Sequence, residues 1–263
     1  MKIFITGASS GIGQALAEEY AKRHLGRNTI IGLVARRSEY LQDLQSKLQN
    51  QYQVTCVIYA LDVRDHASLS NAAENFIKRY EVPDIVIANA GVSSGTLTEQ
   101  AEDRAAFQAI LDINVMGLVH TFQPFIKAMR DQGGGQLIGI ASVAGIRGLP
   151  GAGAYSASKA AAISYLESLR VEMAPLNIAV TTIAPGYIRT PMTDVNTYKM
   201  PFLMDAHIAA KKFVEAIENK RRFVVIPWQM GVVARLIRFI PPRLWDWAMK
   251  KAPHKPRLDP NSL

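Results

Sequence analysis

Tyr155 and Lys159 stand four residues apart, and Ser142 precedes the tyrosine by thirteen residues. Four residues along an α-helix rise about 6 Å and return to nearly the same face, so a helix would place the phenol beside the ammonium. A free phenol titrates near pH 10, and lowering its pKa to about 7 requires roughly 4 kcal/mol, which an adjacent cation could supply. Tyr155 could then exchange a proton with a carbonyl or alcohol oxygen that Ser142 polarises. This spacing also occurs by chance on solvated helices, so the interpretation depends on the rest of the chain.

A glycine-rich turn follows the first apolar segment. Residues 2–6 read as a short strand, the motif TGASSGIG occupies residues 6–13, and a helical apolar pattern comes next. Here Gly7 would permit a tight turn, Gly11 would let the backbone approach a pyrophosphate, and Gly13 would let the helix pack closely on the strand. The helix N-terminus would offer free N–H groups to the anion. The spacing G-x-x-x-G-x-G departs from the usual G-x-G-x-x-G, so the turn alone is a weak signal.

Together, the glycine turn and the Ser, Tyr and Lys constellation resemble the motifs of the classical short-chain dehydrogenase/reductase family, Thr-Gly-x-x-x-Gly-x-Gly and Ser with Tyr-x-x-x-Lys. The resemblance covers residues 2 to about 226. It implies an NADP- or NAD-dependent oxidoreductase in which hydride passes between nicotinamide and a carbonyl carbon, without a metal. Further landmarks match in order and spacing: Asp62-Val63, Asn89-Ala90-Gly91, Asn114, Ser142, and Pro185-Gly186 with Thr190.

The resemblance also implies a role for each matching residue. Tyr155 would transfer the proton, Lys159 would lower its pKa and hold the nicotinamide ribose, and Ser142 would bond the substrate oxygen. Asn114 would kink its helix and hold a water that links Lys159 to solvent; an asparagine that bonds locally within the helix is the alternative. Asp62 would contact the adenine amino group. The expected cofactor-binding residues are Gly7, Ser9, Ser10, Gly11, Ile12, Gly13, Arg36, Arg37, Asp62, Val63, Asn89, Ala90, Gly91, Tyr155, Lys159, Pro185, Gly186, Ile188 and Thr190.

The end of the second predicted strand indicates which cofactor is preferred. An NAD-specific site places a carboxylate here, but the chain has Ala35, followed by Arg36 and Arg37. Arginine suits the 2′-phosphate of NADP because its planar fork makes charge-assisted bonds to phosphate oxygens. Arg36 is the better candidate, since it follows the discriminating position as in similar NADP-preferring enzymes; Arg37 either helps or is solvated. We expect NADP(H), with an NAD-dependent alcohol dehydrogenase of the same family as the alternative.

The alternation of apolar segments predicts an α/β fold: a single-domain, Rossmann-like, doubly wound parallel sheet of about seven strands with a C-terminal extension. The 263 residues, 49% of them apolar, suffice for one large core. We expect the catalytic domain over residues 1–226, including a lid at about 187–204, and the extension over 227–263. Strands are expected at residues 2–6, 29–35, 54–61, 84–88, 136–141, 178–183 and about 223–226, and helices near 12–25, 38–50, 66–80, 103–130, 155–173 and 205–219.

The predicted lid, residues 187–204, is rich in methionine and aromatic side chains. Methionines adapt to irregular ligands, so the lid favours an apolar or acyl-type carbonyl or alcohol substrate. The same side chains could instead pack onto the domain. A catalytically silent cofactor-binding regulatory or scaffold protein is the alternative function, and the presence of Ser142, Tyr155 and Lys159 argues for an enzyme.

The charge of the chain is concentrated in its tail. Residues 1–219 carry 20 Lys/Arg and 20 Asp/Glu, whereas residues 220–263 carry 10 and 2, so the net charge of +8 belongs to the tail. A basic segment with tryptophans at 228–251 could lie in the interface of an anionic membrane, although it is too short and interrupted to span one. The alternatives are packing on the lid or on a partner subunit, and docking of an acidic partner.

Other features limit the remaining function classes. The five histidines form no ligand-spaced cluster, so we expect no metal site, and Cys56 reads as a small buried core residue. Nucleic-acid binding is disfavoured because no recognised reading module accompanies the cations. The strand that begins at residue 2 leaves no room for a targeting peptide, so we expect a cytoplasmic, possibly membrane-associated protein. The resemblance implies a homodimer or homotetramer.

Overall fold

The computed structural model describes residues 1–25 and 28–259, which form an α/β fold around a seven-stranded parallel sheet. The order of the strands in the sheet is β3-β2-β1-β4-β5-β6-β9, and β7 pairs with β8 in a separate two-stranded sheet. The predicted sheet is therefore confirmed. The strands are β1 (Lys2–Thr6), β2 (Ile30–Ala35), β3 (Thr55–Ala60), β4 (Ile85–Ala88), β5 (Gly135–Ile140), β6 (Ile178–Pro185), β7 (Ile188–Arg189), β8 (Met204–Asp205) and β9 (Phe223–Ile226).

Helices cover both faces of the large sheet. They alternate with the strands along the chain, as parallel pairing requires. The helices are α1 (Gly11–Arg23), α2 (Ser38–Tyr52), α3 (His66–Tyr80), α4 (Asp103–Leu111), α5 (Gly117–Asp131), α6 (Gly153–Met173), α7 (Pro191–Asp194), α8 (Ala206–Glu218), α9 (Trp228–Phe239) and α10 (Pro242–Met249).

The central strand β1 shows why the sheet is buried on both sides. Successive side chains of a strand point to opposite faces. Ile3 and Ile5 pack in one apolar cluster with α1, α2 and α8, whereas Phe4 packs in a second cluster with α3, α5 and α6. The Phe4 ring lies edge-on to Phe76, with ring centroids 5.6 Å apart. A continuous apolar strand is therefore required here, in place of an alternating one.

The predicted helix at 103–130 forms, with a change of helix type in its middle. A π-helical turn at Asp112–Met116 separates α4 from α5. By length and composition the whole run, Asp103–Asp131, could cross a membrane, but Phe122 and Phe125 of α5 are completely buried in the second cluster. We therefore interpret the run as a core helix pair of the sheet.

The C-terminal extension lies on the catalytic domain. The α9 helix follows β9 directly and buries Met230 and Ala234. After α10 the chain returns across the domain as an extended segment, residues 252–258, which we name the C-terminal strap. The backbone N–H of Gly95 donates to the carbonyl of Pro256 at 2.8 Å, so the strap runs beside the loop that follows β4.

Candidate active site

One cavity of about 480 Å³ lies at the carboxyl ends of the strands, where β1 separates β2 from β4. Ligands bind at this point in doubly wound sheets because the strand order reverses there and leaves a crevice. Ser142, Tyr155, Lys159 and every predicted cofactor-binding residue except Gly13 line the cavity; Gly13 and Asn114 lie outside its wall. The structure therefore brings the two motifs of the sequence to one site.

The glycine turn and the N-terminus of α1 form one wall of the cavity. Gly7 has φ of +68°, a left-handed conformation that glycine adopts without strain, and a Cβ there would lie 2.7 Å from Ala90 Cα. A Cβ on Gly13 would collide with the Gly7 carbonyl oxygen. The turn and helix α1 thus approach more closely than any side chain would allow, as the sequence predicts.

Asn89 supports this turn from the neighbouring strand. Its Nδ2 donates to the carbonyl oxygens of Thr6 and Gly7, both at 3.1 Å. The side chain predicted to line a ribose is therefore committed to backbone carbonyls of the turn. Asn89 still forms part of the cavity wall, together with Ala90 and Gly91.

The first turns of α6 position the candidate proton donor. The Lys159 side chain is buried, its Nζ donates to the Ile140 carbonyl oxygen at 2.9 Å, and the same Nζ lies 5.9 Å from the centroid of the Tyr155 ring. Ser142 begins the short helix after β5, and its Oγ accepts from the backbone N–H of Ala144 at 3.1 Å. The phenol, the hydroxyl and the ammonium therefore share one wall of the cavity.

The pKa values show which charge state each group favours. Burial raises the pKa of Tyr155 above its usual value of 10, and interaction with the Ser142 hydroxyl opposes this rise. Burial lowers the pKa of Lys159 from 10.5 to about 8. The spacing predicts a lowered tyrosine pKa, whereas burial of the phenol itself shifts the pKa upward. A neutral phenol is the form that can donate a proton.

Asn114 lies in the π-helical turn and joins three segments around the site. Its Oδ1 accepts from Val92 N–H at 2.8 Å, and its Nδ2 donates to the Val92 carbonyl at 3.0 Å and to Ser158 Oγ at 2.9 Å. Ser158 Oγ in turn donates to the Tyr155 carbonyl at 2.8 Å. The alternative of a locally bonded asparagine is therefore wrong, and π-helical turns of this kind are frequent at functional sites. The water expected beside it stays a prediction.

Two arginines line the far end of the cavity, at the end of β2. Arg37 Nη2 donates to Ser9 Oγ at 3.0 Å and to Ser10 Oγ at 3.1 Å, so it lies directly over the glycine turn. Arg36 Nη1 lies 3.9 Å from the Asp62 carboxylate. Although desolvation opposes it, hydrogen bonding from Arg64 lowers the pKa of Asp62, so this carboxylate is ionised.

The lid at 187–204 is built on β7, α7 and β8. Thr193 Oγ donates to the carbonyls of Ile188 at 2.7 Å and Thr190 at 2.9 Å, which closes the first turn of α7. Met192 and Val195 line the cavity, as an apolar lid requires. Met204, by contrast, does not line the cavity and packs against the first core cluster. Both readings of the lid therefore apply, each to different side chains.

The strap supplies a wall of the site that the sequence interpretation missed. Leu258 lines the cavity and packs on Ala106, Ile110 and Ala154. Lys255 Nζ lies over the Tyr155 ring, 5.7 Å from its centroid. No local signal distinguishes this segment from a solvated basic tail, because its partners lie more than 150 residues earlier in the chain.

Comparison with known proteins identifies the family. A family model described as short chain dehydrogenase matches residues 1–200. The chain belongs to the short-chain dehydrogenase family. An uncharacterized oxidoreductase of Myxococcus xanthus is 35% identical to this short-chain dehydrogenase over 251 residues, covering 94% of the chain and 95% of the relative. The predicted family and the predicted class of enzyme, an oxidoreductase, are thereby confirmed.

Solved structures support the same fold for this short-chain dehydrogenase. A short-chain dehydrogenase from Sphingobium yanoikuyae in complex with NADPH is 25% identical, has a TM-score of 0.77, and covers 92% of this chain and 96% of its own. A short-chain dehydrogenase/reductase from Burkholderia phymatum in complex with NAD has a TM-score of 0.78 at 23% identity, covering 98% and 97%, and supports the fold alone. Within the described residues of the chain, no group of three or more His, Cys, Asp or Glu side chains could hold a metal ion.

Proposed function

We propose that this protein is an NADP(H)-dependent oxidoreductase that interconverts a carbonyl compound and an alcohol, with Tyr155 as general acid and base. The observation that carries the proposal is the single cavity that Tyr155, Ser142 and Lys159 share with the glycine turn and two arginines. When bound, the nicotinamide supplies or accepts the hydride. The side chains of this chain do the rest of the chemistry.

The cavity fits a dinucleotide. Ser9, Ser10 and Gly11 of the glycine turn line the cavity, so the turn and the N-terminus of α1 face the position proposed for a pyrophosphate. Arg36 and Arg37 provide two guanidinium groups beside the expected position of the adenosine ribose. The NADPH in the Sphingobium yanoikuyae enzyme is consistent with this assignment.

In the direction of reduction, Tyr155 would donate its proton to the oxygen that develops negative charge, and Ser142 would donate a hydrogen bond to the same oxygen. Lys159 would place a positive charge beside the tyrosinate that is left. In the reverse direction Tyr155 would accept the proton of the alcohol. Asn114 would hold the start of α6 in position through Ser158.

The proton-transfer role is tested with Tyr155→Phe. Turnover should be lost while NADPH binding, followed by its fluorescence, changes little, because the phenyl ring is retained. Tyr165→Phe is the matched control, since Tyr165 lies on the same helix α6 and packs in the second core cluster, away from the cavity. Retained turnover in Tyr155→Phe would remove the mechanism.

The preference for NADP(H) is tested with Arg36→Ala and Arg37→Ala. A charge-assisted bond to phosphate is worth about 1.5–3 kcal/mol, so each variant should bind NADPH about 10- to 100-fold more weakly. NADH affinity should change far less, because NADH lacks the 2′-phosphate. Equal losses for both cofactors would contradict the assignment. We include Arg37 beside Arg36 because its Nη2 donates to Ser9 and Ser10, next to the glycine turn.

The apolar part of the lid supports an apolar or acyl-type substrate, because Met192 and Val195 face the cavity. A panel of aldehydes and ketones of increasing chain length, followed by NADPH absorbance, tests this. We expect kcat/KM to rise with chain length, and Met192→Ser to reduce that rise. A panel on which short polar carbonyl compounds are the best substrates would contradict it.

We further propose that the exposed face of α9 and α10 docks on an anionic membrane surface from the cytoplasmic side. Trp228, Leu236, Phe239 and Trp247 are between 65% and 83% exposed, and the α9 members lie on one face of that helix. Exposed basic side chains occur in the same segment, and they would complement anionic headgroups. They are Arg235, Arg238, Arg243, Lys250 and Lys251.

Vesicle co-sedimentation with and without anionic lipid tests the docking. Wild type should sediment with anionic vesicles, and a variant with Trp228→Ser, Phe239→Ser and Trp247→Ser should remain in solution. Light scattering after gel filtration reports the oligomer in the same samples and tests the expected homodimer or homotetramer. The membrane proposal fails if neither wild type nor the variant sediments. If, in addition, wild type is oligomeric and the variant is monomeric, a second copy of the chain covers this face.

A further inference from the structure

The C-terminal strap is bonded to the domain at the three residues that follow Lys255. Besides the bond between Gly95 and Pro256, the Leu258 N–H donates to Ser94 Oγ at 2.8 Å. Arg257 Nε donates to Asp103 Oδ1 at 2.9 Å, at the start of α4. These bonds fix the backbone directly after residue 255, whose Nζ lies 5.7 Å from the centroid of the Tyr155 ring.

Lys255 differs from the other basic side chains that fasten the extension. Arg257 pairs with Glu102 and Asp103. Arg147 donates to the carbonyl of Ile240 at 2.7 Å, at the end of α9. Within the part of the chain that the structure describes, Lys255 Nζ has neither a carboxylate partner nor a hydrogen-bond acceptor. It is a half-buried cation that lies over the ring of the candidate proton donor, Tyr155.

Two cations therefore lie beside Tyr155, and neither is paired with a carboxylate among the described residues. Lys159 and Lys255 lie 5.9 and 5.7 Å from the centroid of the same ring. Burial lowers the pKa of Lys255 to about 8, so its ammonium form still predominates at neutral pH, although desolvation disfavours it. A negative group that entered the site would relieve this repulsion and gain a charge-assisted hydrogen bond.

A second polar group lies unused in the same wall. Ser93 lines the cavity, is 3% exposed, and its Oγ has no hydrogen-bond partner among the described residues. Buried hydroxyls are nearly always hydrogen-bonded in native proteins, so an unpaired one facing a cavity indicates a ligand or a water that completes it. Ser93 precedes the Ser94 and Gly95 pair to which the strap is bonded, so this hydroxyl and Lys255 belong to neighbouring segments.

We propose that Lys255 is the specificity residue of the substrate site, and that the carbonyl substrate carries an anionic group, a carboxylate or a phosphate ester, which Lys255 binds. This inference rests on the proposed oxidoreductase function. The apolar side chains of the lid and Leu258 would hold the body of the same substrate, which is therefore amphiphilic. Lys255 would contribute to substrate binding, whereas Lys159 would stabilise the tyrosinate form of Tyr155.

The experiment compares matched substrates in matched variants. The substrates are oxo acids of increasing chain length, each paired with its methyl ester, and NADPH is the reductant. The proteins are wild type, Lys255→Met, Lys255→Arg and Lys251→Met. The last is the control, because Lys251 is an exposed lysine of the same extension. Wild type should prefer one acid over its ester by about 10- to 100-fold in kcat/KM, the range expected for one charged hydrogen bond. Lys255→Met should lose this preference while ester turnover persists; Lys255→Arg and Lys251→Met should keep it. Oxoalkyl phosphates run in parallel distinguish a phosphate site from a carboxylate site.

The result that overturns the inference is clear in this design. If wild type shows no acid preference, or if Lys255→Met lowers acid and ester turnover by the same factor, Lys255 does not recognise an anion. Equal loss would instead indicate an effect exerted through Tyr155. Failure of the proposed function is a different result, namely no turnover of any carbonyl compound by wild type.

A binding measurement decides the inference even without turnover. Calorimetry with octanoate and with octanol, in the presence of NADP, should show tighter binding of the anion to wild type and equal binding to Lys255→Met. Equal affinities in wild type would overturn the assignment of Lys255.

Discussion

Replacing Lys159 by methionine should alter stability in a way that depends on pH. The Lys159 side chain is 5% exposed, and burial lowers its pKa from 10.5 to about 8. The unfolded chain therefore binds more protons than the folded protein between these two pH values. By linkage, the stability of wild type should rise as pH increases through this window.

The magnitude follows from the two pKa values. At about 1.4 kcal/mol for each pH unit, the charged lysine destabilises the folded protein by about 3 kcal/mol below pH 8. Methionine has a similar length and no charge, so it removes this penalty. It also leaves the Ile140 carbonyl without its donor, which costs about 1–3 kcal/mol. We expect Lys159→Met to be as stable as wild type or up to about 2 kcal/mol more stable at pH 7, and less stable near pH 10.5.

Urea denaturation without added nucleotide, at pH 7 and at pH 10, measures this difference. Lys78→Met is the matched control, because Lys78 is exposed on α3. The control should show a pH-independent difference from wild type, whereas Lys159→Met should lose stability relative to wild type as pH rises. A difference that stays constant, or that moves the other way, would refute the reasoning. Turnover by Lys159→Met should be lost at every pH.

Three further results are expected. Burial raises the pKa of the Cys56 thiol to about 12, so little reactive thiolate forms at pH 8. A chromogenic disulfide should therefore label the native protein only at the rate at which local unfolding exposes Cys56. Rapid stoichiometric labelling would contradict this. Gly13→Ala should lower the free energy of unfolding by about 1–3 kcal/mol and weaken NADPH binding, because the new methyl meets the Gly7 carbonyl. Thermal or urea unfolding measures the first effect. Gly148→Ala is the control and should leave stability unchanged, because a Cβ there meets nothing within 4 Å. Arg257→Ala should release the strap, and thermolysin should then cleave it faster than in wild type while the digestion pattern of the rest stays unchanged.

Local signals were sufficient to predict most of the sheet and one end of the site. The strands at residues 2–6 and 223–226 have the predicted bounds, because apolar segments between polar ones leave little choice of register. The predicted helix at 66–80 also has the observed bounds, since Asp65 caps it by accepting from Ser68 N–H at 3.0 Å. The spacing of the glycines also predicted the turn at residues 6–13, because a side chain at Gly7 or Gly13 would collide with neighbouring atoms.

Features that depend on distant contacts could not be read from the chain. The π-helical turn around Asn114 is held by Val92 and Ser158, which no helical pattern of residues 103–130 reveals. Spacing placed Tyr155 beside Lys159 correctly, but the direction of the tyrosine pKa depends on burial, which a sequence pattern does not measure. The strap shows the same limit, since Leu258 and Arg257 look like solvated tail residues until their partners are known.

The strap also bears on how this enzyme could be adapted. Its fastening to Gly95 and Ser94 uses the backbone at Pro256 and Leu258, so those bonds tolerate many side chains at residues 255 and 258. The segments proposed to bind the dinucleotide lie elsewhere, in the turns after the central strands. A library randomised at residues 255 and 258 would therefore change substrate selectivity without changing the residues proposed to bind the nucleotide. The strap is for this reason a suitable target for directed evolution.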